Sequence, residues 1–592
     1  MKLNNFITSF KIPLIVLIGI ILYLVLLFFK TGYKELFILV IIALGSYELF
    51  KDTLGALLRK QFALDYIAIL AIIVSVATGE YLVAAVIALM ISSGRTLEDY
   101  GVAQAKKSLT KLVDRIPNDI TLWENGKAGR KEKISNVKTG EEVLVKRGEV
   151  IGLDGILTSQ SALTDESSLT GEPYLMEKFE GDQIRSGTIN VGDVIIIKVT
   201  STQENSTYNK IIEMVKNAQG EKAPLIRLAD KYSTIFTLIT AVIAGFAYII
   251  SGNLHQVLAV LVIATPCPLI LATPIALMGG VSASAKKRVI VKKLASIEAL
   301  SRAKAFIFDK TGTITLGEPK LVEYSNLSNL KDNELLGIAE AIERNSLHPL
   351  AKAVVAFARE KNASVFSSKK VSEKIGSGIS GFVNGKTYTL KKGEEEGMLI
   401  ELFQEKSKIG IFKFEDEIKE DSKEIIKALK KMGIEIHIFT GDKKEAAEKV
   451  VRLLGESINL KAECKPEDKQ EGIKELKKEG KITAMVGDGI NDAPALALAD
   501  VGIVFSNEEQ TAASEAADIV FLGNDFSLVL DSFKISKGTI DIALQSILWG
   551  IGISIGGMVF ASVGLIPPLI GAVLQEAIDV AVIINALRAS RL

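Results

Sequence analysis

The chain has 592 residues and no formal net charge, with 70 Lys+Arg against 70 Asp+Glu, which excludes a partner held by an overall basic surface, nucleic acid included. Its two cysteines, Cys267 and Cys464, lie far apart and form no CxxC pair, so a disulfide framework is excluded too, and a reducing compartment fits the polar parts. Hydrophobic residues make up 48% of the chain but gather into apolar runs between long charged stretches, the pattern of a membrane protein with large soluble insertions.

Apolar runs long enough to cross a bilayer, which takes about 20 residues, begin near Ile12, Glu35, Phe62, Leu82, Tyr232, Leu254, Ile540 and Leu565. They predict eight crossings in four hairpins. The first run lacks a small-residue cleavage site and a second follows it at once, so it reads as an anchor rather than a secretion signal. Lys51, Arg59, Lys106, Lys107, Arg288 and Arg588 flank the runs on one side, which the positive-inside rule makes cytoplasmic; Lys30 and Lys34 oppose it and are outnumbered. Both termini and both polar insertions, 96–231 and 282–535, are then expected in the cytoplasm.

The first insertion opens with a charged helical approach. Strand formers follow at 143–145, 152–156 and 194–199, predicting a small β-rich domain. It contains the exposed turn Ser168-Leu169-Thr170-Gly171-Glu172-Pro173. Alone, such a turn is equally a solvated loop. The sixth apolar run holds Thr265-Pro266-Cys267-Pro268, whose two prolines remove N–H donors and free carbonyls beside a thiol and a hydroxyl. That combination suits an ion site; a kink beside an inert buried cysteine is the alternative.

The second insertion alternates strands and helices, as a doubly wound α/β core does. The run Ala305-Phe306-Ile307-Phe308 leads into Asp309-Lys310-Thr311-Gly312-Thr313-Ile314-Thr315. A buried strand ending in an aspartate and a Thr/Gly turn presents one carboxylate beside several backbone N–H groups, so Asp309 reads as a nucleophile toward a phosphoryl group. Residues 434–439 lead into Thr440-Gly441-Asp442, and 482–486 into Gly487-Asp488-Gly489-Ile490-Asn491-Asp492. All three loops leave the carboxyl edge, where open α/β sheets bind ligands. Asp488, a carboxylate oxygen of Asp309 and the Thr311 carbonyl supply the hard oxygens Mg²⁺ prefers, while Thr440 and Lys469 hold the transferred phosphate. An insert at about 319–410 carries Glu343, the pair His348-Pro349, and Gly376-Ser377-Gly378. A lone His-Pro or GxG says little by itself.

In the last apolar run Gln575, Glu576 and Asp579 interrupt the hydrophobic pattern, with Glu576 and Asp579 three apart on one helical face. A charge at the bilayer centre costs roughly 2.5 to 3.5 kcal/mol, so two call for a partner unless they snorkel to the interface. A divalent cation shared with Cys267 is the sharper reading. One thiolate, two carboxylates and an amide suit Zn²⁺, Cd²⁺, Co²⁺, Ni²⁺, Fe²⁺ or Mn²⁺ and disfavour copper(I).

The motifs at 309–315, 170–172, 440–442 and 487–492, in this order among membrane hairpins, resemble those of the P-type cation-transporting ATPases over nearly the whole chain. Ser346-Leu347-His348-Pro349 together with Thr265-Pro266-Cys267 is similar to the heavy-metal branch. The resemblance implies a multi-pass α-helical membrane protein of the plasma membrane, with eight transmembrane helices. Its expected parts are transmembrane helices 1–4 (1–108), a β-rich actuator domain (109–220), transmembrane helices 5–6 (221–290), an α/β haloacid-dehalogenase-like phosphorylation domain (291–318 and 411–535), an inserted α+β nucleotide-binding domain (319–410) and transmembrane helices 7–8 (536–592). It implies ATP and Mg²⁺ as cofactors, and Lys310, Thr311, Gly441, Asp442, Asn491 and Asp492 as catalytic-motif residues around Asp309. Glu172 positions the hydrolytic water, and Glu343, His348, Pro349, Gly376 and Gly378 line the adenosine site. The ion is expected at Thr265, Cys267, Gln575, Glu576 and Asp579, with the protein acting as a monomer. The chain departs from the branch in having Thr-Pro-Cys where Cys-Pro-Cys is usual and Gly45-Ser46 where a double glycine is common. A pump for a hard cation of the potassium or calcium type, or a membrane-anchored phosphatase that moves no ion, are the other readings.

Overall fold

The computed structural model describes the chain except for residues 1–10, 30–32, 59–65, 95, 97–116, 118, 125, 166–174, 207–208, 210–223, 265–266, 347, 375–377, 394–397, 456, 488–491 and 507–515. It divides into two compact units, one of residues 1–302 and 531–592, the other of residues 303–530.

The first unit holds the apolar helices. Lys11–Phe28, Ser527–Ser562 and the run from Pro568 to Arg591 are long and apolar enough to cross a membrane. Shorter apolar helices, Tyr66–Ala77, Tyr81–Gly94, Ile235–Ser251 and Leu254–Ile263, carry other expected crossings. Three full-length candidates among the described residues thus stand against eight expected, and one cause is visible in the sixth run. There one helix stops at Ile263 and the next, Cys267–Lys286, starts three residues beyond Ala264, as the two prolines predict. Large apolar side chains such as Ile18, Leu238, Ile249 and Ile584 are more than half exposed, a surface suited to lipid rather than water. Hydroxyls inside these helices satisfy themselves on the preceding turn: Ser46 Oγ donates to the Ile42 carbonyl at 2.6 Å, Ser75 Oγ to Ala71 at 2.8 Å and Thr240 Oγ1 to Phe236 at 2.9 Å.

The same unit contains the β-rich insertion. Its larger sheet runs in the order Lys127–Lys133, Asp119–Glu124, Glu142–Val145, Ile195–Val199, Gly155–Leu157 and Gln183–Ile184, with all of the paired strands antiparallel. Alternate residues Leu122, Val143, Val145, Ile195 and Ile197 point inward with Ile151 and Leu153 to form its core. The expected strand at 152–156 begins later, at Gly155.

In the second unit a parallel sheet runs in the order Ile519–Leu522, Val501–Ser506, Thr483–Gly487, Ala305–Phe308, Glu435–Phe439 and Asn459–Lys461. Its inner strands Ala305–Phe308 and Thr483–Gly487 are wholly buried, as parallel strands covered on both faces must be, while the edge strand Asn459–Lys461 is partly exposed. An antiparallel sheet of six strands is inserted after Asp309, in the order Thr315–Asn326, Ser407–Ile418, Met398–Gln404, Lys386–Lys392, Gly378–Val383 and Ser368–Lys374. Its border strands run past both expected ends of the insert. Helices Asp332–Glu343 and Pro349–Glu360 pack on it around Leu335, Ile342, Val354, Leu402 and Phe412.

Candidate active site and ion site

The register of the parallel sheet builds the reaction centre. Phe308 pairs with Ile438 on one side and Val486 on the other, so the three loops that follow leave from one sheet edge. The Asp309 amide continues the ladder by donating to the Val486 carbonyl at 2.9 Å. Asp309 is nine-tenths buried, and its Oδ1 accepts from Lys469 Nζ at 2.5 Å. The same ammonium donates to Asp492 Oδ1 at 2.7 Å. Burial alone would lower the Lys469 pKa, but Asp309 and then Asp492 outweigh it and hold it above the ordinary value. Lys469 therefore stays charged at neutral pH.

Helix Pro466–Lys478 places Lys469 on its buried face, with Pro466 at the first helical position and Asp468 accepting from the Lys465 amide at 2.8 Å. Gly487 makes room for the third partner, since a Cβ there would stand 2.7 Å from Asp492 Oδ2. Lys310 pairs with Asp442 at 2.6 Å, tying the first loop to the second. Thr440 is buried and anchored through its backbone to Lys461 and Cys464, and its hydroxyl accepts from the Asp442 amide at 3.2 Å. The structure thus brings Asp309, Lys310, Thr440, Asp442, Lys469 and Asp492 together. Thr311, with extended backbone angles, and Gly312, with φ 70°, form the turn beside them. The Thr313 hydroxyl is buried there with no hydrogen-bond partner among the described residues, and such a donor fits a loop shaped around an oxygen-rich ligand. Asp488 and Asn491 lie outside the described residues, as do Thr170, Gly171 and Glu172.

Sequence reasoning missed Asp416. It accepts from Thr315 Oγ1 at 2.5 Å and from the Gly317 amide at 3.0 Å, and Thr315 Oγ1 lies 3.1 Å from the Lys310 carbonyl. One carboxylate thereby clamps the outgoing strand of the insert to its returning strand and to the phosphorylation loop. No local motif signals it, because its partners lie 101 and 99 residues away.

Within the insert, Glu343 is buried and its pKa is pushed up to about 7, by burial first and the nearby Glu373 second. Glu373 in turn accepts from Ser346 Oγ at 2.8 Å, and that hydroxyl receives the His348 amide at 3.1 Å. His348 caps helix Pro349–Glu360 by accepting from the Leu350 amide on Nδ1 at 3.2 Å, with Pro349 at the first helical position. Gly378 has φ 99°, and a Cβ there would stand 2.1 Å from the Leu390 carbonyl, so only glycine fits. Gly376 lies outside the described residues.

In the membrane part, helix Pro568–Ala586 buries Gln575 and Asp579, which lie one turn apart and are bonded, Gln575 Nε2 donating to Asp579 Oδ1 at 2.9 Å. Ser554 Oγ donates to Gln575 Oε1 at 3.2 Å. Glu576 is only half-buried and accepts from Ser93 Oγ at 3.1 Å. Glu576 and Asp579, three residues apart, are neighbours on the helix surface, and each has its own hydrogen-bond partner, Ser93 for Glu576 and Gln575 for Asp579. Thr265 and the Cys267 side chain lie outside the described residues, and no group of three His, Cys, Asp or Glu converges among the described ones.

These features define a class. A haloacid dehalogenase-like hydrolase family matches residues 303–500, and the P-type ATPase actuator domain matches residues 114–216. A probable cadmium-transporting ATPase of Alkalihalophilus pseudofirmus is 32% identical over 587 residues, covering 93% of this chain and 80% of that protein. The copper-exporting P-type ATPase of Bacillus subtilis is 32% identical over 539 residues, covering 86% of this chain and 67% of that one. The crystal structure of a zinc-transporting PIB-type ATPase in the E2.Pi state aligns with a TM-score of 0.67 at 26% identity, covering 98% of this chain and 100% of that chain. The chain belongs to the heavy-metal branch of the P-type ATPases, and it is an ATP-hydrolysing translocase.

Proposed function

We propose that the protein exports a divalent transition-metal ion of the Zn, Cd, Co, Ni, Fe or Mn class across the plasma membrane, driven by ATP through phosphorylation of Asp309. The observation that carries this reading is Lys469 held at 2.5 Å from Asp309 and 2.7 Å from Asp492 at the end of the central strand. A carboxylate that must meet a triphosphate needs fixed positive charge beside it, and Lys469 with Lys310 provides it. An oxygen of Asp309 attacks the γ-phosphorus, the bond to the bridging oxygen breaks, and ADP leaves. Thr440 and Lys469 hold the equatorial oxygens. Asp309, the Thr311 carbonyl and Asp488 form an all-oxygen donor set that fits Mg²⁺. When bound, the ion offsets the charge of the transferring group. Glu172 then positions the water that hydrolyses the aspartyl phosphate.

Glu343, His348, Pro349, Gly376 and Gly378 hold the adenosine, with the domains divided as 1–108, 109–220, 221–290, 291–318, 319–410, 411–535 and 536–592 and the membrane part crossing eight times. The chain acts as a monomer, with its catalytic domains in the cytoplasm. Thr265, Cys267, Gln575, Glu576 and Asp579 bind the transported ion. Relatives are named for cadmium and for copper. A set with one sulfur and several oxygens favours the divalent ions. Acid-quenched labelling with γ-labelled ATP tests the reading: the wild type forms a hydroxylamine-labile phosphoenzyme, Asp309→Asn forms none, and Glu172→Gln accumulates it. ATP turnover by Asp309→Asn would overturn it.

A further inference from the structure

Two turns of the membrane part meet at a contact that the ion path described above does not use. Glu80 closes the turn between helices Tyr66–Ala77 and Tyr81–Gly94, and His255 opens helix Leu254–Ile263 after the turn at Gly252 and Asn253. His255 Nδ1 lies 3.3 Å from Glu80 Oε1, and the two side chains are 47% and 40% exposed. His255 is the membrane part's single histidine, the other two of the chain being His348 and His437. By the orientation proposed above, this contact lies at the extracytoplasmic start of helix Leu254–Ile263, twelve residues before Cys267 in the chain.

The spacing of the pair has chemical content. Zinc-type ions bind imidazole nitrogen and carboxylate oxygen at about 2.0–2.2 Å, and two such ligands on one edge of a tetrahedron stand about 3.4 Å apart. The imidazole and carboxylate already have that bite, and their exposure leaves room for water in the other positions. Gln256, the next residue in the chain, has an Oε1 that is shielded from solvent and accepts no hydrogen bond among the described residues, while its amide nitrogen lies against Gly564 in another turn.

We propose that His255 and Glu80 chelate the departing divalent metal ion on the extracytoplasmic side, as a weak release station. The site rests on the export reading. Two protein ligands completed by water bind less tightly than the buried thiolate and carboxylate site, and that gradient favours unloading. Nitrogen and oxygen donors suit Zn²⁺ and Co²⁺ and repel copper(I).

Equilibrium Zn²⁺ binding to the full chain in nanodiscs tests the station apart from transport. In a Cys267→Ala background that disables the central site, one weak Zn²⁺ site is expected to remain. His255→Ala and Glu80→Gln should each weaken it at least about ten-fold, the scale on which even supporting contacts of a metal affect affinity. Glu80→Gln keeps an oxygen that can accept from the imidazole, so a merely structural contact would leave Zn²⁺ affinity unchanged in that variant. Unchanged Zn²⁺ affinity in both variants, or no residual site, overturns the station. Zn²⁺-stimulated ATPase of the wild type, measured alongside, reports on the export reading: if stimulation is present and the binding is unaffected, only the station fails.

Discussion

Lys469 is the residue on which the reaction centre turns. Replacing it with Met leaves Asp309 and Asp492 facing each other in a buried site without their shared cation. Removing one partner of a buried ion pair costs about 3 kcal/mol or more, so thermal unfolding of Lys469→Met should begin measurably lower and phosphoenzyme formation should fall with it. Glu343 has the opposite electrostatics, its carboxyl being raised to about 7 by burial and Glu373. Between its ordinary value and about 7 the folded chain keeps a proton that the unfolded chain releases, so its contribution to stability is full below that window and is lost as pH rises through it. The difference is on the order of 3 kcal/mol. Denaturation of the full chain followed across that range should show the loss, and Glu343→Gln should flatten it. Asp309 and Thr440 were legible from sequence because each follows a strand end whose hydrophobic run announces it. Asp416 was not, because its partners Thr315 and Gly317 are joined to it only once the insert folds back on itself.

At the scale of elements, the strand pair Thr315–Asn326 and Ser407–Ile418 matters most, since it carries the insert from the phosphorylation loop and returns it. Asp416→Ala removes the clamp on Thr315 and Gly317 and should slow phosphoryl transfer several-fold while leaving ATP binding to the insert intact, which nucleotide titration alongside phosphorylation kinetics separates. Gly378 opens the strand Gly378–Val383 at a φ that side chains rarely adopt, with the Leu390 carbonyl where a Cβ would stand. Gly378→Ala should cost more than about 1 kcal/mol and weaken ATP binding. The alternation of strands and helices from Ala305 onward gave the parallel sheet directly, and the helix Leu254–Ile263 ends at Ala264, just ahead of the prolines at 266 and 268. In helix Pro568–Ala586 the spacing named the polar residues but not their partners: Glu576 accepts from Ser93 and Gln575 donates to Asp579, contacts that only packing decides.

The whole molecule joins a carboxylate that takes phosphate to a membrane part that carries Cys267, Gln575 and Asp579, and the pump reading requires the second to govern the first. Motif order made that joining legible; the identity of the ion was not, because it depends on which donors converge around Cys267 rather than on which donors exist. Gln575→Ala and Asp579→Ala should each reduce metal-stimulated ATPase strongly while sparing the phosphatase reaction of the isolated phosphoenzyme. The direct measurement is acid-stable labelling of Asp309 by γ-labelled ATP in the purified full chain, with and without each divalent metal of a Zn, Cd, Co, Ni, Fe and Mn panel, in the wild type and in Cys267→Ala and Asp579→Ala. Labelling that requires one of these metals and is lost in both variants is the predicted result; labelling that proceeds equally without metal, or is unchanged in both variants, would contradict it.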